Sequence, residues 1–257
     1  MKVGLIGSGN MARALARGWG EPVFCTDSGS GRAQALVDEL GGERVESNRE
    51  LAERVDLVVL CHKPYQLETV AGEIAGSVKA VASVLGGVDT RTLEGHFRHT
   101  AVLALMPNTP VEIRQGVVVH AKPEHRSFPI DPELEAEVLE LFGRLGRVVS
   151  VPERLMGAAT AISGVGPAYQ ALLAEAQVDA GVRRGLGAQV ASELVTATMS
   201  GTAALIEARA HDTLAVRREV TSPGGSTARG LDALERAGLR AAFQDAMDAV
   251  VQNPVGR

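Results

Sequence analysis

The residues of this chain best placed to do chemistry are glycines and hydroxyls rather than acids and bases. Gly7-Ser8-Gly9-Asn10-Met11-Ala12 follows directly on the apolar run Lys2–Ile6 and opens a helix-like stretch. Gly7 allows a tight turn, Gly9 lets a phosphate approach the backbone at a positive helix end, and Ala12 is small enough for close helix–strand packing. That chemistry is the binding of a dinucleotide pyrophosphate. A second run, Thr221-Ser222-Pro223-Gly224-Gly225-Ser226-Thr227, ends a polar stretch and begins a helix. Its consecutive N–H groups would form an anion nest, and glycines at 224 and 225 allow backbone angles that other residues avoid. His62-Lys63-Pro64 and Met106-Pro107-Asn108-Thr109-Pro110 each follow an apolar run, where open parallel sheets bind ligands. Taken singly, each of these clusters also reads as a plain proline-glycine turn.

Some 20 residues past the first glycine loop comes Cys25-Thr26-Asp27-Ser28, at the place where an adenosine ribose is recognised. Asp27 accepting from a ribose hydroxyl would favour NAD. Ser28, Ser30 and Arg32 would suit the 2′-phosphate of NADP, and a third reading makes Asp27 or Ser28 a cap for the next helix. The sequence leaves these open, with a slight lean to NADP.

The elements that must carry these residues alternate through the first 150 positions. Strands are expected at Lys2–Ile6, Pro22–Thr26, Val55–Leu60, Lys79–Val84, Ala101–Met106 and Gly116–Ala121, with helices near Asn10–Trp19, Gly31–Leu40, Asn48–Arg54 and Tyr65–Ala75. Such alternation predicts βαβ units and a parallel sheet buried on both faces. The proline-bearing polar run Ala121–Pro132 should be an exposed loop, followed by a helix over Pro132–Leu145 and a strand at Arg147–Val151. After that the strand pattern stops. Ala191, Leu194, Val195, Thr198, Thr202, Leu205 and Ile206 fall at helical spacing, Pro167–Arg184 is helical in character, and a last helix is expected over Leu239–Val251. The fold class is thus α/β, a Rossmann-type dinucleotide-binding domain over residues 1–151 followed by an all-helical domain over 152–257. Ala-rich, weakly polar helices need covering, so this second half should make a homodimer or a higher homo-oligomer.

Composition removes other classes. With 257 residues and 45% apolar content the chain can bury a core, while 3% aromatics and a net charge of −5 argue against a nucleic-acid surface. Cys25 and Cys61 lie in apolar stretches with no CxxC, and read as buried reduced thiols of a cytoplasmic protein. No run is long enough to span a membrane. No HExxH, ligand-like histidine pair or catalytic triad is present, so no metal is expected.

In order and spacing, Gly7–Ala12, Lys63-Pro64, Met106–Pro110, Ser163-Gly164-Val165-Gly166-Pro167-Ala168-Tyr169 and Thr221–Thr227 resemble the motif series of the pyrroline-5-carboxylate reductase family. The resemblance implies NAD(P)H-dependent reduction of 1-pyrroline-5-carboxylate to proline by an intertwined helical dimer. Together with the glycine-loop and ribose readings above, the cofactor residues are Gly7, Ser8, Gly9, Asn10, Met11, Asp27, Ser28, Lys63 and Pro64, and the resemblance places Asn108, Thr109 and Pro110 along the cofactor near the nicotinamide. Ser222, Gly224, Gly225 and Ser226 would receive the substrate carboxylate, and the Thr227 hydroxyl would bond the ring nitrogen as the catalytic contact. Val165 and Ser226 depart from the family's usual residues. A β-hydroxyacid dehydrogenase would share the glycine loop but needs a lysine on a helix of the second domain, and Pro167–Ile206 contains none. A reductase of a related cyclic imino acid and a non-catalytic dinucleotide-binding paralogue are the other rivals.

Overall fold

The computed structural model describes residues 1–252; residues 253–257, the end of the expected second domain, lie outside the described residues. The described chain packs as two compact units, Met1–Pro167 joined by residues 250–252, and Ala168–Ala249.

The first unit is built on one sheet. Its elements run β1 (Val3–Ile6), α1 (Asn10–Trp19), β2 (Val23–Thr26), α2 (Arg32–Leu40), β3 (Gly42–Arg44), α3 (Asn48–Arg54), β4 (Leu57–Leu60), α4 (Leu67–Ile74), β5 (Ala80–Ser83), α5 (Thr90–His96), β6 (Ala101–Pro107), β7 (Gly116–Lys122), α6 (Pro132–Gly143), β8 (Gly146–Pro152) and α7 (Met156–Ser163). The strand order is β3-β2-β1-β4-β5-β6-β7-β8. Leu57-Val58-Val59-Leu60 is buried at every position, as a central strand covered on both faces must be. One face carries Leu15, Trp19, Leu36, Leu103 and Phe142 from or under α1, α2 and α6; the other carries Leu51, Ile74, Leu93 and Phe97 on the side of α3, α4 and α5.

Two features differ from the expected pattern. β6 and β7 pair antiparallel, because only the short 3₁₀ segment Thr109–Ile113 and a turn join them, whereas a parallel return needs a dozen or more residues. β3 and α5 are not marked by periodicity. β3 is three exposed polar residues at the sheet edge, and α5 is a seven-residue helix whose start is fixed by the Asp89 side chain accepting from Thr92 N. The run Ala121–Pro132 is, as expected, largely an exposed loop, and it is also tied to the rest of the unit. Arg126 donates to Val102 O at 2.9 Å, Ser127 N donates to Glu94 at 2.8 Å, and the Phe128 ring packs at a tilt against His99, 4.5 Å between centroids. α7 lies on β7 and β8, so this unit continues past Pro152 to Pro167.

The second unit is helical: α8 (Gly166–Val182), α9 (Ala188–Ala208), α10 (Thr213–Glu219), α11 (Ser226–Arg236) and α12 (Leu239–Gln252). α10 escapes the periodicity reading; the Asp212 carboxylate caps it by accepting from Ala215 N. Tyr169 meets Phe243 edge-on at 6.5 Å. Among its described residues only Ala191 and Val216 are buried hydrophobics, while Leu172, Val190, Leu194 and Leu234 are each half exposed or more. No described helix is long and apolar enough to cross a membrane.

Candidate functional site

The first glycine turn joins the carboxyl end of β1 to α1. Gly7 has φ +95°, and a Cβ there would lie 2.8 Å from the backbone nitrogen of His62. Glycine is therefore required both for its angle and for the close passage of the loop after β4. Gly7 N and the Ser8 hydroxyl both donate to Thr26 O, at 3.2 and 2.9 Å, which fixes the turn to β2. Gly9 differs. Its φ of −74° is ordinary, and a Cβ would meet nothing within 4 Å. What glycine leaves at 9 is open space, directly before the ten-residue helix α1, whose N-terminus has no side-chain cap. Unpaired N–H groups beside vacant space are what an anionic pyrophosphate requires.

An open cleft of about 900 Å³ spreads from this turn over the ends of β1, β2 and β4. Of the sequence candidates it gathers Gly7, Ser8, Gly9, Asp27, Ser28 and Lys63 on its walls. Hydrogen bonds cross its floor: Thr26 Oγ1 donates to Asn48 Oδ1 at 2.6 Å, and Asn48 Nδ2 donates to Glu73 Oε2 at 2.6 Å. Asn48, Arg49, Gln66 and Glu73 line the cleft and were not singled out by the sequence. For Asn48 and Arg49 the sequence signal is the Ser47 cap on Glu50 N, which starts a helix at the expected residue Asn48 but says nothing of what it faces.

Asp27 is committed within its own loop. Its carboxylate accepts from Gly29 N at 3.0 Å, Ser30 Oγ at 2.9 Å and Ala33 N at 3.1 Å. Desolvation pushes its pKa up, but these bonds outweigh it and hold the carboxyl below its usual range. The capping reading is the one the geometry favours. Ser28, Ser30, Arg32 and Arg49 stand exposed on the same wall.

Several candidates lie off this cleft. Asn10 accepts from Arg13 at 2.7 Å, Met11 packs on the core under α1, and Pro64 starts the 3₁₀ turn Pro64–Gln66. Asn108 is a buried clamp: its Nδ2 donates to Ser163 O at 3.0 Å and its Oδ1 accepts from Val117 N at 2.8 Å. Its carboxamide joins β6, β7 and the end of α7, leaving Thr109 and Pro110 in the 3₁₀ segment that follows.

The second glycine turn belongs to the helical unit. Gly224 has φ +67°, so it needs glycine for its angle. Gly225 does not, contrary to the expectation for the pair: its φ of −70° is ordinary, and the constraint is steric, since a Cβ would run into Ser222 Oγ. Gly225 N donates to Ser222 O at 3.1 Å and Arg229 donates to Gly224 O at 2.7 Å, closing the turn from both sides. Gly225 heads α11, again without a side-chain cap. The N–H groups of Ser226, Thr227 and Ala228 fall in its first turn, where the helix offers them no acceptor. Thr227 is half-buried there.

Comparison with known proteins agrees with this arrangement. Residues 153–254 match the family model for pyrroline-5-carboxylate reductase dimerisation, and residues 2–87 match that for NADP oxidoreductase, coenzyme F420-dependent. A curated pyrroline-5-carboxylate reductase from Synechocystis is 34% identical over 97% of this chain and 95% of its own. The solved Streptococcus pyogenes 1-pyrroline-5-carboxylate reductase superposes with a TM-score of 0.88 at 29% identity, covering 98% of this chain and 97% of that one. The Plasmodium falciparum pyrroline carboxylate reductase, solved with NADP bound, gives 0.86 at 28% identity, over 98% and 96%. With two dinucleotide-cleft features intact, the capless α1 and the Gly7 cradle, and a full-length relative above 30% identity, the chain belongs to the pyrroline-5-carboxylate reductase family.

Proposed function

We propose that this chain reduces the C=N bond of 1-pyrroline-5-carboxylate to give L-proline, the last step of proline biosynthesis, with NADPH preferred over NADH. Family membership over nearly the whole chain is the observation that carries the reaction. When bound, the nicotinamide cofactor supplies the hydride. The protein's own part is binding and orientation, because a protonated cyclic imine is already an activated carbon centre and needs no covalent catalyst.

The residues divide that work. Gly7, Ser8 and Gly9 hold the pyrophosphate at the N-terminus of α1. Ser28, Ser30, Arg32 and Arg49 surround the adenosine ribose. Because the Asp27 carboxylate is already spent on Gly29, Ser30 and Ala33, it is a poor acceptor for a 2′-hydroxyl, and the two exposed guanidiniums suit a 2′-phosphate instead. Backbone N–H groups of the Ser222–Thr227 turn receive the substrate carboxylate, with Gly224, Gly225 and Ser226 shaping it. The Thr227 hydroxyl accepts from the protonated ring nitrogen and so holds the reacting carbon in register. Exposed Leu172, Val190, Leu194 and Leu234 support a homodimer through α8–α12, each chain covering the other's helices.

Turnover of pyrroline-5-carboxylate by the full chain, followed through nicotinamide absorbance, tests the reading. Activity is expected, with kcat/KM for NADPH above that for NADH by about tenfold or more, the worth of one charge-assisted hydrogen bond. No turnover with either cofactor overturns the reaction; equal efficiency overturns the NADPH preference alone.

A further inference from the structure

Two residues from the motif runs take no part in the proposed chemistry: Asn108, in Met106–Pro110, and Pro167, in Ser163–Tyr169. The fold joins them through one carbonyl. α7 ends at Ser163 and α8 begins at Gly166. In an unbroken helix the N–H of residue 167 would donate to the carbonyl of residue 163, four positions back. Proline has no N–H, so Pro167 leaves Ser163 O without that donor. Asn108 supplies one from 55 residues away, its Nδ2 donating to Ser163 O at 3.0 Å. The carboxamide cannot be turned round, because Val117 N only donates and meets Oδ1 at 2.8 Å. Asn108 N donates to Val117 O at 3.1 Å in return. Both ends of this buried side chain are thus spent on backbone. On the helix side, Gly164 N and Val165 N both donate to Thr160 O, at 2.8 and 3.2 Å, closing α7 where it stops.

We propose that Asn108 is a positioning residue for the reaction, pinning the joint between α7 and α8 to the β6–β7 pair through the carbonyl that Pro167 leaves free. The inference rests on the proposed reduction and on the Ser222–Thr227 turn as its substrate site. The chain enters the helical unit, which carries that turn, just after Pro167. Two requirements meet at the joint. The helix must stop, which the missing N–H of Pro167 ensures, and its open end must be held, which needs a donor from outside the helix. A carboxamide does this while also accepting from Val117 N, and no hydroxyl, carboxylate or ammonium offers a fixed donor at one end and a fixed acceptor at the other. An N–H at residue 167 would satisfy the same carbonyl from within the helix, yet it would tie Ser163 to α8 and not to the sheet. The consequence falls on the substrate rather than the cofactor, because neither Asn108 nor Pro167 lines the dinucleotide cleft.

The test is a double-mutant cycle on the full chain, reading kcat/KM for pyrroline-5-carboxylate, NADPH affinity and Tm in each protein. Asn108→Asp keeps the acceptor for Val117 N but sets a carboxylate against Ser163 O, so kcat/KM should fall about tenfold and Tm by a few degrees. NADPH affinity should stay within about twofold of the parent's, roughly 0.4 kcal/mol. Pro167→Ala alone leaves Asn108 in place, and since a carbonyl has two lone pairs its kcat/KM should stay within about threefold. In N108D/P167A the new N–H at residue 167 takes the orphaned carbonyl. Tm should then return toward the parent's, while kcat/KM stays about tenfold down. A merely structural role would restore both together, and that result overturns the proposal. So does parental kcat/KM in N108D, and so does an NADPH affinity that falls in step with activity, because Asn108 would then touch the cofactor. A loss in P167A alone as large as that in N108D also overturns it, since the proline would act without the asparagine. A parent that binds NADPH but turns over no pyrroline-5-carboxylate removes the reaction reading itself, an outcome distinct from an active parent whose variants fail to split.

Discussion

The two compact units solve burial in opposite ways. In the sheet unit a layer of helices covers each face, and large side chains such as Leu15, Leu51, Phe97 and Phe142 are fully enclosed. In the helical unit α8–α12 enclose almost nothing large, and Leu172 and Leu194 are 64% and 54% exposed. One chain is thus self-sufficient where it is proposed to hold its cofactor and incomplete where it is proposed to hold its substrate. The glycine turns follow the same division. Gly7 is wedged against the backbone of His62 and Cys61, whereas a Cβ at Gly224 would meet nothing. The lesson is that two sequence runs of similar composition, each opening a helix, differ in what they owe to their surroundings.

The largest effect tests that wedge. Gly7→Val faces a positive φ and a backbone clash together, and should cost about 4 kcal/mol or more, enough to lose the sheet unit. Gly9→Val, two residues away, has an ordinary φ and open space, so it should fold with an unchanged Tm. Its side chain would fill the space proposed for the pyrophosphate, and NADPH affinity should fall on the order of a hundredfold, the scale of losing two or more charge-assisted bonds. Circular dichroism and cofactor titration separate the two. A Gly9 variant that binds NADPH normally removes the turn from the cofactor site.

Next in size is Leu194→Glu. If a second copy covers α9, the change buries two carboxylates across a twofold axis and should weaken dimerisation by on the order of a thousandfold. Light scattering should show dimer for the parent and monomer for the variant at micromolar concentration, with activity lost alongside. A parent that runs as a monomer contradicts the proposed assembly.

Thr227→Ala comes third. Removing one hydroxyl from a charged ring nitrogen costs about 1.5–3 kcal/mol, so kcat/KM should drop roughly tenfold to a hundredfold while NADPH affinity holds. Gly225→Val should do worse, because its Cβ would push Ser222 out of the turn. Parental kinetics in both variants would place the substrate elsewhere.

The legible parts were those in which local pattern and tertiary setting agree. α1 and α3 begin and end at the expected residues, and β4 is central because nothing in it is polar. β3 was not legible, since Gly42-Glu43-Arg44 carries no apolar residue and becomes a strand only by pairing with β2. The antiparallel β7 could not be read either, because direction is set by the short link at Thr109–Ile113 rather than by the strand's own residues. At the candidate site, Gly7, Ser8 and Gly9 were legible from spacing. Asn48 and Glu73 were not, because they are joined across the cleft by a side-chain bond that sequence separation conceals. Asn108 shows the converse: its motif stood out, yet the carboxamide is a clamp between strand and helix.

The smallest predicted effect asks whether the sheet unit is as self-sufficient as its packing implies. Trp19 closes α1, and its indole N–H donates to Leu141 O at 3.0 Å. Leu141 sits in the last turn of α6, where carbonyls have no partner within the helix. The same ring meets Phe142 edge-on, with centroids 5.5 Å apart. Trp19→Phe keeps an aromatic body but leaves that carbonyl without its donor and a small void where the larger ring stood. The loss should be about 1–2.5 kcal/mol, from one buried hydrogen bond and the missing atoms. Tm should fall by a few degrees, as expected for a unit of this size. Because the contact lies wholly inside the sheet unit, the drop should be the same from about 1 to about 100 µM protein, whereas a defect in a subunit interface would shrink with concentration by mass action. Activity at 25 °C should match the parent's, as Trp19 lies in the core and not on the cofactor cleft. A Tm loss that grows on dilution would show that the sheet unit also leans on a second chain, and would break the contrast between the two regions.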